Sequence, residues 1–270
     1  PAQRAYGEAS VSGGSFNTFK INGKAGTGIH KGFFAEGSAS MINSDGYIDR
    51  AYAKLASWFL QTGYMNNNTM VKLLYFGGRE KTYQAWDGVP QDSLKTNRTF
   101  NDLGTDYGQH FPPYKNQTDN YGQDYLQLLF SQYLPKGFNL NAALFATLGK
   151  GYYEEYKAAQ DINSYFQNFD TVPIITDLVR QKWLKNIFYG GTFAVNYNRK
   201  DFSTTLGGAL CRYDGENFGK VISAAVPLIF DNTAKYYYGQ SAKNDFNVYL
   251  KLNYELRQKV NLFLDIQYRY

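Results

Sequence analysis

The chain has 270 residues, enough for one large all-β domain or two ordinary ones, and it carries 25 tyrosines, 20 phenylalanines and 26 glycines. A mean hydropathy of −0.49 is very negative for so aromatic a protein, and a β-barrel with a lipid-facing side, a polar lumen and aromatic girdles reconciles the two. The net charge of +5 is mild and the basic residues do not cluster, which argues against a nucleic-acid partner.

The single cysteine, Cys211, excludes an intrachain disulfide. No run of about 18 apolar residues occurs, so a transmembrane helix is excluded while membrane strands are not. The chain starts at Pro1 with no signal sequence, so it is expected to be a processed product or a piece of something longer.

Period-two alternation cuts the chain into about eleven segments. Near the start, Phe19, Ile21, Ala25 and Ile29 alternate with Lys20, Asn22 and Lys24, and Phe33, Ala35, Ala39 and Met41 alternate with Phe34, Glu36, Ser38 and Ser40. In Tyr52–Met65 the adjacent Trp58, Phe59 and Leu60 leave the faces unassigned. Further on, "FNLNAALFATLG", "NIFYGGTFAVNY" and "FSTTLGGALC" divide the same way. So do "DFNVYLKLNYEL" and the closing "KVNLFLDIQYRY", where Leu262, Leu264 and Ile266 oppose Asn261, Asp265, Gln267 and Arg269. Helical turns are expected only within long loops, in "EEYKAAQDI" and "TDLVRQKWL".

The connections sort by length. Short turns are expected at His30-Lys31-Gly32, Asn66-Asn67-Asn68, Pro135-Lys136-Gly137, Asn198-Arg199-Lys200 and Arg257-Gln258-Lys259. On the opposite rim Ser15–Thr18 is tight, Asn43–Ala51 is longer, and three long loops fall near 80–121, 151–185 and 212–244. Short turns on one side and long loops on the other is the asymmetry of outer-membrane barrels, with the long loops extracellular. The fold class read from these patterns is all-β, an antiparallel up-and-down transmembrane β-barrel.

Several blocks then look familiar. "YGEASVSGGSFNTFKINGKAGTGI" (Tyr6–Ile29) resembles the first barrel hairpin of TonB-dependent outer-membrane receptors. "SDGYIDRA", "KTYQAWDGVPQDSLKTNRTFN", "DNYGQDYLQL", "GKGYYEEYK", "YGGTFAVNY" and "LFLDIQYRY" resemble successive blocks of the same family, nearest to its Bacteroides-type siderophore and iron-complex receptors. The resemblance covers essentially all of 1–270 and implies part of a barrel of about 22 strands. It also implies outer-membrane lipid around the barrel, a plug domain inside it, and energy from a TonB complex through a TonB box. The nutrient ligand is then a small molecule, most simply an iron complex. Plug, TonB box and the remaining strands are not in this sequence, and the odd strand count departs from the even number of bacterial single-chain barrels. The expectation is therefore the first half of a barrel.

Two sets of residues follow. Glu8, Lys20, Lys24, Glu36, Lys72, Lys251, Glu255, Asp265 and Arg269 fall on the inward phase; they either dock a plug or line a water-filled lumen. In the long loop near 80–121, Tyr83, Trp86, Tyr107, His110, Phe111 and Tyr114 are the candidate ligand contacts, since aromatic rings give rigid contact area and long loops on a rigid scaffold often bind. "GYYEEYKAAQ" and "KYYYGQ" are lesser candidates. No His/Cys/carboxylate cluster has metal-ligand spacing, no cofactor is expected, and an enzyme is not, since only His110 stands on the loop side to act as a base. Two other functions compete with the receptor: a passive porin, and a soluble all-β carbohydrate-binding protein.

Overall fold

The computed structural model describes residues 1–106, 108, 111–166, 172–226, 232–256 and 260–270. It is one antiparallel sheet of eleven strands, each hydrogen-bonded to its sequence neighbours. They are β1 (Arg4–Gly14), β2 (Thr18–Gly28), β3 (Phe33–Ser44), β4 (Ala53–Met65), β5 (Thr69–Tyr83) and β6 (Thr118–Leu134), then β7 (Phe138–Asp161), β8 (Ile175–Arg199), β9 (Phe202–Ala224), β10 (Tyr237–Leu256) and β11 (Val260–Arg269). This is the up-and-down all-β order that the alternation predicts, with β1 and β11 at the two edges.

Register decides what each face carries, because directly opposed residues point the same way and a slip of one residue would exchange the faces. One ladder row runs Ala35, Thr62, Leu73, Leu128, Leu144, Gly191, Leu210, Phe246 from β3 to β10. At the far edge Leu250 faces Ile266, Leu252 faces Leu264 and Tyr254 faces Leu262. The apolar phases of all the strands therefore merge into one belt on one face.

The belt is left bare: Leu144 is 60 % exposed, Leu210 64 % and Ile266 56 %. Its extent along a strand, Phe138 to Leu148 or Phe246 to Leu256, matches the roughly 9–11 residues a tilted strand needs to cross a bilayer. Aromatic pairs mark its ends. Phe33–Tyr64 and Phe138–Tyr197 lie near the turns, at ring distances of 5.0 and 4.6 Å. Toward the loops, Tyr152–Trp183–Phe218 stack at 4.3 and 5.8 Å. Amphipathic rings at such levels are the girdles of a membrane barrel.

The opposite face is polar but not uniformly so. The segment whose faces the sequence left open resolves here: Trp58 and Leu60 join the belt, while Phe59 takes the polar face. There it starts an aromatic stripe, Phe59–Phe76 at 6.2 Å and Phe76–Tyr125 stacked at 4.6 Å, with Phe145–Phe188 at 5.2 Å beside it.

The expected turns at His30–Gly32, Asn66–Asn68 and Pro135–Gly137 are in place, while the one expected at Asn198–Lys200 falls at Lys200 and Asp201, because Asn198 and Arg199 still pair with β9. Between His30 and Phe33, which exchange backbone hydrogen bonds of 2.8 and 3.0 Å, Lys31 and Gly32 both take positive φ (50° and 87°), the conformation whose twist matches a hairpin. The turn at Arg257-Gln258-Lys259 lies outside the described residues.

Two long connections are shorter than the sequence suggested. The stretches expected to loop over 151–185 and 212–244 are mostly strand, so those connections shrink to 162–174 and 225–236. "EEYKAAQDI" and "TDLVRQKWL" are extended rather than helical, apart from a short 3-10 turn at Ile162–Ser164. Here β7 to β10 overrun the belt, and the buried core lies in this overrun. Ile162, Tyr165, Leu178 and Val221 form one cluster, and Tyr156, Ala158 and Val179 another. Leu178 and Val179 are adjacent yet both buried: loops cover both faces of the strand, so the polar–apolar alternation disappears.

The belt gives a direct test. Leu144→Arg, at a position already open to solvent in the isolated chain, is expected to cost about 2–4 kcal/mol near the middle of a bilayer, read by urea unfolding of the membrane-inserted protein. Asn141→Arg on the polar face is expected to cost no more than about 0.5 kcal/mol. Equal, negligible costs at both positions would contradict a lipid-facing belt.

Candidate functional site

The connection 84–117 is built onto the strand ends rather than hanging from them. Buried Gln84 donates from Nε2 to the carbonyls of Thr118 (3.2 Å) and Glu154 (3.0 Å), and its Oε1 accepts from Gln117 Nε2 at 3.1 Å. Gln117 Oε1 in turn accepts the Tyr156 amide at 2.8 Å. Asn101 Nδ2 donates to the carbonyls of Asp49 and Gln84, both at 3.0 Å, tying in the 45–52 connection. Asp106 receives Lys157 Nζ and the Ala158 amide, each at 2.7 Å, just before the register shift between Lys157 and Gln160. A buried side-chain amide satisfied on every side specifies one conformation, because leaving it unsatisfied costs more than the bond returns.

That packing sorts the six loop candidates. Tyr83 is only 4 % exposed. Its hydroxyl lies within hydrogen-bond distance of the Tyr114 (2.9 Å) and Leu103 (3.2 Å) carbonyls and accepts from Arg50 Nε at 3.2 Å. Arg50 also donates to the carbonyls of Asn101 and Leu103. Tyr83 is thus a keystone of the loop and has no surface to offer a ligand, which corrects its place among the expected contacts. Tyr114 is half-buried and donates to Glu154 Oε1 at 2.7 Å; burial, with that carboxylate second, holds its phenol well above the usual range, so it stays a neutral donor. It too serves the loop's own packing. Tyr107 and His110 lie outside the described residues.

Trp86 and Phe111 remain open, 56 % and 73 % exposed. Trp86 sets its edge against Tyr153, ring centroids 5.5 Å apart at 83°, and Lys182 Nζ lies 5.5 Å over the same tyrosine. Tyr153, Lys182, Gly219 and Tyr237 occupy one ladder row on the polar face of β7 to β10. Gly219 leaves room there, since a Cβ at that position would collide with the rings of Tyr236 and Tyr237. The result is a patch of π-faces around one ammonium at the loop end of the polar face. Such a patch suits a flat ligand carrying negative charge.

Tyr153 and Tyr237 belong to the tyrosine runs singled out as lesser candidates. Lys182 was missed because its segment reads as a helical turn in the sequence; its pairing with Tyr153 and Gly219 is what places it on the polar face. Among the described residues no group of three or more His, Cys, Asp or Glu side chains could hold a metal ion.

All nine expected inward residues share the polar face by register. Glu8 and Lys24 pair at 2.8 Å, Lys251 and Asp265 at 3.6 Å, and Arg269 with Asp245 at 2.6 Å. Glu36 accepts from Gln61 and, at 3.5 Å, from Tyr6. Lys20 lies between Ser12 and Ile42, Lys72 between Gly63 and Leu129, and Glu255 faces Asn261. Exposed ion pairs of this kind are worth little in stability and break readily. Cys211 also lies on this face, opposite Gly190 and Asp245, half-buried.

Tyr83→Phe removes the hydroxyl at the centre of the loop. It is expected to cost about 1–2 kcal/mol and to speed amide exchange at Tyr114 and Leu103 while leaving β6 protected, by hydrogen-exchange mass spectrometry. Unchanged exchange in the loop would show that Tyr83 is not its keystone.

The sequence matches no family model and no curated protein. Solved structures do match it. The pyoverdine outer-membrane receptor FpvA of Pseudomonas aeruginosa aligns with 100 % of this chain at 11 % identity and a TM-score of 0.71. The siderophore receptor PiuA of Acinetobacter baumannii aligns with 99 % at 11 % and 0.66, and the copper transporter OprC with 100 % at 12 % and 0.68. The chain spans only 41 %, 43 % and 38 % of those chains respectively. From end to end it has the antiparallel barrel fold that these outer-membrane receptors and transporters share, as the resemblance in its sequence implied.

Proposed function

We propose that the chain is barrel wall of a TonB-dependent outer-membrane receptor that imports an iron complex, with a plug domain filling the polar face and TonB supplying the energy. The observation that carries the receptor over a passive porin is the aromatic stripe on the polar face. A water-filled channel gains nothing from Phe59, Phe76, Phe145 and Phe188, half-open on its inner surface; a packed plug covers them and recovers their burial, about 25 cal/mol per Å². The breakable pairs Glu8–Lys24 and Lys251–Asp265 on the same face suit a domain that must shift during import.

Against a soluble carbohydrate binder stands the apolar belt, far larger than the few hundred Å² of contiguous apolar surface a soluble monomer exposes. The ligand reading rests on the patch of Trp86, Tyr153, Lys182 and Tyr237, with Phe111 a further open ring in the same connection. An iron complex with planar, anionic groups such as catecholates presents both π-surface and charge to it. That two similar structures are a pyoverdine receptor and a siderophore receptor supports the choice, while the copper transporter shows that this fold serves other cargo as well.

The test is uptake of radiolabelled ferric complexes by cells carrying the full-length gene. Deletion of the gene and collapse of the proton-motive force are each expected to abolish uptake of at least one complex. Trp86→Ala is expected to weaken its binding about tenfold or more, without lowering the amount of receptor in the outer membrane. Uptake that survives loss of the proton-motive force would favour the porin, and unchanged uptake of every iron complex on deletion would remove iron as the cargo.

A further inference from the structure

The patch around Tyr153 is one part of a longer ladder row. Across β5 to β10 that row runs Thr82, Asp119, Tyr153, Lys182, Gly219 and Tyr237. Directly opposed residues share a face, so Asp119 stands on the polar face beside Tyr153, on the side away from Lys182. Neighbouring strands lie about 4.8 Å apart, which sets the backbones of Asp119 and Lys182 about 10 Å from each other with the tyrosine between them. One row nearer the belt, Tyr121 lies across Gly149 and Gly151, where a Cβ would collide with it. Tyr153 therefore has Trp86 at its edge, a second tyrosine beside it, and charges of opposite sign on its two flanks.

Other charges near the patch are matched: Glu155 pairs with Arg180 and Lys157 with Asp106, each at 2.7 Å. Asp119 is half-buried, and its carboxylate meets the backbone of its own neighbour Asn120. Its same-face neighbours on β5 and β7 are Thr82, Glu80, Gly151 and Tyr153, none of them a cation. It forms no ion pair among the described residues. A carboxylate partly out of water without a counter-charge is unfavourable, and nothing in the wall offsets it. Glu80, exposed and acidic, adds to the negative field on that flank.

We propose that Asp119 sets the specificity of the patch for a zwitterionic cargo. The flat anionic part of the ligand lies against Tyr153 and Trp86 with its charge at Lys182, and an ammonium or guanidinium arm of the same ligand reaches Asp119 on the other flank. The inference rests on the iron-complex reading above and narrows it, from any planar anionic complex to one with a basic side arm. A wholly anionic complex is attracted by Lys182 and opposed by Asp119, so the row selects against it as well as for its zwitterionic counterpart.

The test uses the full-length receptor in detergent and two ferric tris-catecholate complexes that differ at one position. One carries a free terminal amine and the other the same amine acetylated, and calorimetric titration measures the binding of each. Wild type is expected to bind the amine complex about tenfold more tightly. Asp119→Asn is expected to abolish that preference, Asp119→Glu to keep it, and Lys182→Gln to weaken both complexes alike. Without ligand, Asp119→Asn is expected to melt no lower than wild type, since it loses an unmatched charge. Equal binding of the two complexes by wild type overturns the basic arm and leaves the iron-complex reading intact, as does a preference that survives Asp119→Asn. A lower melting point of ligand-free Asp119→Asn assigns the carboxylate to a basic group of the plug and overturns the proposal too. Failure of wild type to bind either complex removes the iron-complex reading, and this proposal with it.

Discussion

A strand that crosses hydrocarbon has no water to satisfy its amides, so every backbone group must be matched by the strand beside it. That ladder then binds the side chains to a common phase: whatever stands opposite a residue shares its face. Across ten successive pairings the phase is kept, and Leu73, Leu128, Leu144, Leu210 and their row-mates form one surface while Glu8, Lys24, Lys72 and Asp265 form the other. The glycines Gly37, Gly77, Gly191 and Gly208 interrupt the belt without reversing it, and they open space for neighbouring large side chains.

With the wall committed to its two faces, binding chemistry can vary where the wall stops. The overrun of β7 to β10 carries the rigid part of that region. Its two small cores and the amide network around Gln84 hold the 84–117 connection in place, so Trp86 projects from a fixed base. The polar-face patch comes from the same strand ends. Successive residues Lys182 and Trp183 point to opposite sides, one onto the polar face and the other toward the membrane edge.

The barrel wall was legible in the sequence wherever one face meets something apolar and the other something polar. That is why β7, β10 and β11 read cleanly as strands from Phe138, Phe246 and Val260 onward. The pattern failed in two places for physical reasons. In the overrun, Leu178 and Val179 are both covered, so alternation gives way to an adjacent apolar pair that imitates a helical turn. Around Phe59 the polar face carries its own aromatics, and three large residues in a row concealed the phase. The loop candidates were mixed for a related reason: a tyrosine such as Tyr83 looks the same in sequence whether it closes a loop or faces a ligand. Only its bonds to Arg50 and the Tyr114 carbonyl tell the two apart.

Everything in this architecture depends on alternate side chains of each strand facing lipid. Nitroxide labels placed singly at positions 248 to 253 and 262 to 267 of the full-length protein in vesicles would measure it, through their relative accessibility to lipid-soluble oxygen and to a water-soluble nickel chelate. The expected result is a two-residue oscillation, with oxygen favoured at Val248, Leu250, Leu252, Leu262, Leu264 and Ile266 and disfavoured at the residues between them. A flat profile, or one in which Lys251 and Asp265 take the oxygen maxima, would contradict it.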